Sequence, residues 1–125
     1  METLRVKTGR RTQLVDVTAA VERVVKGAGV ASGVCYVYVP HTTAGVTINE
    51  HANPDVASDL EGVFDRLVPH AGPYRHSEGN TDSHAKAVMV GLARRFLCRT
   101  GNCCWGDGRG FSCVSLMGRG RGRYL

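Results

Sequence analysis

Five histidines, His41, His51, His70, His76 and His84, are interleaved with the carboxylates Glu50, Asp55, Asp59, Glu78 and Asp82. Neutral imidazole is the commonest protein ligand for zinc and similar ions, and three such ligands leave a position open for water or substrate. His76 and His84 are separated by a loop and a helix start, so both can face one pocket. His41 falls at a strand-end bend. Glu50 follows a strand, where it can serve as a base or a further ligand. Asp82 reads first as a helix cap and second as a pocket group. His51 and His70 read as solvent-exposed loop residues, and Asn49 as a residue that satisfies a turn. Five histidines at irregular spacing do not by themselves specify a metal site.

The elements that must position these groups follow from pattern. Leu4–Thr8 and Thr12–Val17 read as short strands, with Gly9-Arg10 as a hairpin-like turn between them. Thr18 is placed to cap a helix to about Lys26, with Val17, Val21, Val24 and Val25 as its apolar stripe and Gly27 and Gly29 as its stop. Gly33–Val39 is β-branched and aromatic, the strongest strand signal in the chain, and Pro40 ends it. Ala44–Asn49 alternates as a further strand, which makes 40–43 a bend. Asn53 caps a helix that Pro54 opens and Pro69 closes, with Val56, Leu60, Val63, Phe64 and Leu67 on one face. Residues 70–80 form a polar loop. Asn80 or Asp82 then caps a third helix to Gly91. The order implies a single mixed α+β domain.

Three blocks tie this pattern to a known family. They are His41-Thr42-Thr43-Ala44-Gly45-Val46-Thr47-Ile48-Asn49-Glu50, then Asn53-Pro54-Asp55-Val56 with Asp59-Leu60, then Tyr74-Arg75-His76 with Asn80-Thr81-Asp82-Ser83-His84-Ala85-Lys86. In order and spacing they resemble the YjbQ family, whose members carry the name secondary thiamine-phosphate synthase; the resemblance covers about residues 4–91. It implies a compact, barrel-like α+β fold with about three helices that assembles as a homotrimer. It also implies a pocket with His41, His76 and His84 as ligands of a divalent metal, zinc or a similar ion. Glu50, Asp82 and Asn49 become the catalytic candidates, and Thr42, Thr43, Asn49, Arg75 and Ser77 the substrate-binding ones. The reaction so implied joins a pyrimidine methyl pyrophosphate to a thiazole phosphate with loss of pyrophosphate, as a weak activity. A metal would neutralise the leaving group, helped by cationic histidine or Arg75. No Walker-type glycine loop is present to cradle phosphate, which weighs against efficient pyrophosphate chemistry.

The remaining quarter of the chain, residues 92–125, reads differently. Residues 1–91 carry nine Lys/Arg against ten Asp/Glu with one cysteine, whereas residues 92–125 carry seven Arg against Asp107 alone, with four cysteines and seven glycines. The basic pI is therefore a property of the tail. From Arg94 onward neither alternation nor a helical stripe is legible, and the family's closing strands, expected here, are read as missing or disturbed. The genetic code suggests why. Read from the last base of each preceding codon, Asn102–Trp105 must spell Leu-Leu-Leu and Trp105–Gly106 must spell Gly, because Asn and Cys codons end in C or T while Cys and Trp codons begin with TG. In the same frame Phe96–Gly101 permits Val-Pro-Val-x-Asp-Gly and Asp107–Gly110 permits x-Trp-Gln-Gly, the pattern with which the family continues. This points to a slip of the coding frame near Gly91.

Two rival readings use the tail. Gly118-Arg119-Gly120-Arg121-Gly122-Arg123 resembles an Arg/Gly segment that binds nucleic acid, although it has few aromatic partners. Cys98, Cys103, Cys104 and Cys113 would form a zinc site only with spacings that miss the usual C-x2-C pairs. A small-molecule ligand, phosphorylated on the family reading, is preferred over nucleic acid as the partner. No run of about 18 apolar residues spans a membrane, and the first residues lack the pattern of a signal peptide. The expectation is a cytoplasmic protein, in which disulfides are improbable and Cys35 is an ordinary core residue.

Overall fold

The computed structural model describes residues 1–104 in full and residues 109–115 and 123–124 as backbone. Eight strands and three helices are formed among them: β1 (Arg5–Val6), β2 (Gln13–Asp16), α1 (Thr18–Gly27), β3 (Ser32–Tyr38), β4 (Ala44–Glu50), α2 (Pro54–Leu67), α3 (Thr81–Val90), β5 (Ala93–Arg99), β6 (Asn102–Cys103), β7 (Arg109–Ser115) and β8 (Arg123–Tyr124). All strand pairs are antiparallel. One sheet has the order β2-β7-β4, a second β3-β5-β6, and β1 pairs with β8. The mixed α+β class and the three helices agree with the sequence reading.

The core lies where α1 covers the inner faces of the sheets. Val21 and Val25 from α1, Val37 and Val39 near the end of β3, Val46 from β4 and Phe96 from β5 are buried in one cluster. Each such side chain contributes roughly 1.5–3 kcal/mol on leaving water. Val39 N–H donates to Leu92 O (2.8 Å), which extends the β3–β5 pairing, and Val46 N–H of β4 donates to Gly91 O (3.0 Å), which joins the two larger sheets. Gly91 adopts φ 89° to make that corner, a conformation suited to glycine.

Four local expectations change. Gly9-Arg10 does not close a hairpin, since β1 pairs with β8 and β2 with β7; the Gly9 and Arg10 amides donate instead to Gln13 Oε1 (2.8 and 3.3 Å). Thr18 is the first residue of α1 rather than its cap, and its amide donates to Asp16 Oδ1 (2.8 Å). The inward face of α2 holds a carboxylate among its apolar residues: Glu61 is buried, whereas Leu67 is exposed. Strands do form after Gly91. In β5, Phe96 and Cys98 turn inward while Arg95, Leu97 and Arg99 turn out, a period-two pattern that arginine and cysteine disguise in the sequence. β5 pairs with β3 along all seven residues, and β7 fills the space between β2 and β4. The strong β3 edge supplies register that β5 does not announce by itself.

Candidate functional site

The third helix begins where the polar loop of residues 70–80 ends, and its first turn collects charged groups from four parts of the chain. Asp82, in that first turn, is buried. Arg11, just before β2, grips it with two bonds, Nη2 to Oδ1 at 2.8 Å and Nε to Oδ2 at 3.3 Å, and also donates to Gly79 O (3.1 Å). His70 Nδ1 lies 3.5 Å from Oδ1, and Lys86 Nζ, one turn along the helix, lies 3.6 Å from Oδ2. Lys86 is itself buried, with its ammonium donating to Asp65 Oδ1 on α2 (2.6 Å) and Thr12 Oγ1 (3.2 Å). Burial opposes ionisation of Asp82, but the Arg11 bonds and charge, the Lys86 charge and the His70 bond outweigh it and hold the carboxyl below the usual range. Asp65 is held low by the Lys86 and Thr12 bonds and the Lys86 charge, against burial and the charge of Asp82.

Near the same helix start the imidazoles of His76 and His84 meet edge to face, ring centroids 5.4 Å apart. His76 Nε2 lies 3.8 Å from Glu78 Oε2. The same turn carries three buried polar atoms without a partner among the described residues: Asn80 Oδ1, Thr81 Oγ1 and Ser83 Oγ. Asn80 occupies the cap position without a side-chain cap bond. Buried polar atoms are normally bonded, so three in one turn mark a place suited to a polar ligand.

The other sequence candidates are distributed around the fold. Arg75 and Ser77 flank His76 in the loop and are exposed. His41 sits between β3 and β4, and its Nδ1 accepts from the Thr43 amide (3.1 Å) and lies 3.0 Å from Thr43 Oγ1. An Nδ1 that accepts from an amide leaves the proton of a neutral ring on Nε2, as a donor rather than a metal-binding lone pair. Thr43 is buried and Thr42 exposed. Asn49 and Glu50 lie at the far end of β4, facing Gly110 and Arg109 of β7. The opposite end of β4 packs on α3, where Gly45 meets Val90 and Gly91. Among the described residues no group of three or more His, Cys, Asp or Glu is arranged to hold a metal ion. His41, His76 and His84 of one chain therefore do not form a ready ligand set.

His51 is also held: Asp16 Oδ2 lies 3.2 Å from its Nδ1. Sequence reasoning passed over Arg11, Thr12, Asp65 and Lys86; it placed His70 in a solvent-exposed loop, where it stands, but missed its approach to Asp82. Lys86 carried one legible signal, its place four residues after Asp82 on a helix. Of the proposed cysteine zinc set, Cys98 is buried against half-buried Cys103 while the next residue, Cys104, is exposed, and the side chain of Cys113 lies outside the described residues. The Arg/Gly segment falls there as well. Among the described residues no helix is long and apolar enough to cross a membrane.

Comparison with known proteins agrees with the fold. A family model described as UPF0047 protein YjbQ-like matches residues 2–121. UPF0047 protein YugU of Bacillus subtilis is 40% identical over 111 residues, covering 88% of this chain and 84% of the relative. UPF0047 protein MJ1081 of Methanocaldococcus jannaschii is 34% identical over 120 residues, 96% of this chain and 87% of the relative. A crystal structure of a YjbQ/UPF0047 family protein from Clostridium acetobutylicum superposes with a TM-score of 0.94 at 35% identity, covering 99% of this chain and 95% of that one.

Proposed function

Given that the chain belongs to the YjbQ (UPF0047) family, we propose that it is a small-ligand protein whose binding site is the N-terminal end of α3, with His76 and His84 as the groups that meet the ligand. The observation that carries this reading is the edge-to-face pair of His76 and His84 beside a helix start whose buried Asn80 Oδ1, Thr81 Oγ1 and Ser83 Oγ have no partner among the described residues. Arg11, Lys86 and, when protonated, His70 exceed the charge of Asp82 and Asp65, and the helix dipole adds a partial positive charge at this end. The site suits an anion, and a phosphorylated small molecule is the class that fits best.

Any catalysis is a weak group transfer of the thiamine-phosphate synthase type. In that reaction the bond from the pyrimidine methyl carbon to the pyrophosphate oxygen breaks, and the thiazole nitrogen takes the carbon. Protonated His76 or His84, with Arg75 beside them, would balance the charge of the departing pyrophosphate. Asp82 keeps Arg11 in place, and Asn49 and Glu50 belong to the site only if the ligand extends along β4. A divalent metal held by His41, His76 and His84 does not fit a single chain, for the reasons of geometry and tautomer given above; it would need a donor from a neighbouring copy. A homotrimer is part of the same proposal. What supports self-association is the outer face of β3 and β5, where Val34, Tyr36, Tyr38 and Leu97 are more than half exposed.

The test is calorimetric titration with inorganic pyrophosphate at pH 6.5, with and without zinc, with the mass in solution read by light scattering. Wild-type protein is expected to bind, and His76→Ala and His84→Ala to bind at least tenfold more weakly with unchanged melting midpoints. Equal affinity in the wild type and both variants would remove these histidines from the site.

A further inference from the structure

Three thiols share the inner face of the β3-β5-β6 sheet, away from the α3 site. Cys98 of β5 stands directly opposite Cys103 of β6. Cys35 of β3 is opposite Phe96, and Gly33 opposite Cys98, so Cys35 is the diagonal neighbour of Cys98 on the same face. Cys98 is the neighbour that, after burial, raises both the Cys35 and the Cys103 thiol. The pairing type adds a distance. The Cys104 amide donates to Leu97 O at 2.9 Å, which makes 97/104 a hydrogen-bonded pair and 98/103, one step on, a non-hydrogen-bonded pair. Opposed Cα atoms there approach to about 4.5 Å, within the roughly 4.4–6.8 Å that a disulfide spans. The hairpin turn is Thr100-Gly101, both at positive φ (51° and 74°), a tight two-residue connection that fixes this register.

We propose that Cys98 and Cys103 are a thiol–disulfide site that closes by exchange with a low-molecular-weight disulfide such as oxidised glutathione. Cys103 thiolate attacks one sulfur of oxidised glutathione; that S–S bond breaks, and the departing glutathione takes up the proton Cys103 released. Cys98, losing its own proton, then attacks the Cys103 sulfur of the mixed disulfide, the cross-strand S–S bond forms, and the second glutathione leaves as a thiol. Two protein thiols are oxidised and one disulfide is reduced to two thiols, so the step balances.

The protonation states set the rate. Burial, then the neighbouring Cys98, Glu22 and Cys35, push the Cys103 thiol up to about 12, and burial with Cys98 raises Cys35 as well. Both stay thiols at neutral pH, so closure is slow there and quickens about tenfold per pH unit as the thiolate fraction grows. β6 packs against α1, and the closed hairpin is therefore clamped onto the core.

The experiment is incubation of the full purified chain with oxidised glutathione at pH 7 to 10, alkylation of free thiols, trypsin digestion without reductant, and fragmentation of the products. Cleavage after Arg95, Arg99 and Arg109 separates residues 96–99 from residues 100–109, so a bridge appears as two linked peptides, with fragmentation placing it on Cys103 rather than Cys104. The expected product is the 98–103 bridge, forming about tenfold faster per pH unit, and Cys103→Ser is expected to leave Cys98 without an intrachain bridge. Five alkylated thiols, or bridges confined to Cys104, Cys113 or a second chain, would overturn the proposal. Mapping the unaltered chain decides this even if the variant fails to fold.

Discussion

Asp82 shows how one carboxylate can serve both stability and binding. It is fully buried, yet ionised, because Arg11 bonds it twice, Lys86 adds charge and His70 adds a hydrogen bond. Removing one partner from such a network leaves an uncompensated charge in the interior, which costs about 3–5 kcal/mol. Asp82→Asn is therefore expected to lower the urea midpoint sharply and weaken ligand binding together, whereas His76→Ala, at an exposed position, should affect binding alone. The pH dependence follows from the sign of the shifts. Asp82 and Asp65 have folded pKa values below the ordinary carboxylate value. Their contribution is complete above about pH 4 and is lost as pH falls through the lower folded values. Urea midpoints measured from pH 7 to 3 should drop steeply below pH 4, and the Asp82→Asn variant should show a shallower drop. Of this centre, His76, His84 and Asp82 were legible in the sequence because their types advertise chemistry. Arg11, Asp65 and Lys86 were not, since arginine, aspartate and lysine are surface residues by default and only the tertiary fold brings 11, 65 and 86 together.

At the scale of elements, the packing of β4 on α3 fixes where the helix ends. A Cβ added at Gly45 would stand 2.7 Å from Gly91 O and 2.9 Å from Val90 Cγ1. A backbone oxygen in a fixed corner cannot yield as a side chain does, so Gly45→Ala should cost about 1–3 kcal/mol and shift α3; a fall in melting midpoint together with weaker pyrophosphate binding is the expected readout, and an unchanged midpoint would deny the contact. Helices were legible because Asn53-Pro54 and the valine stripe of α1 carry local signals. β5 was not, because its inward residues Arg94, Phe96 and Cys98 do not look apolar as a set. Strands form here in the present frame, while the shifted frame spells leucine where Cys103 and Cys104 now stand. Re-reading the coding DNA from Ala87 onward decides between the two: a shifted frame open through the family pattern would make the present tail the product of a slip, and stop codons in it would make the present tail, with Cys98 and Cys103, the genuine one.

Taken as a whole, the molecule joins a nearly neutral body to a strongly basic tail, and the two are not separable, since β7 from the tail is the middle strand of the β2-β7-β4 sheet. Charge alone suggested that the tail could act by itself as a nucleic-acid arm; strand pairing shows that part of it is structural. That placement has a consequence for how the chain comes into being. Gln13 waits for Ser115, and Ala44 waits for the same residue, so the sheet is built from contacts far apart in sequence and should fold slowly for its size. On a ribosome adding about 5–20 residues per second, β2 and β4 emerge several seconds before the strand that joins them. Through that interval the nascent chain carries two unpaired strand edges, and the yield of native protein depends on what shields them until the last strand is made.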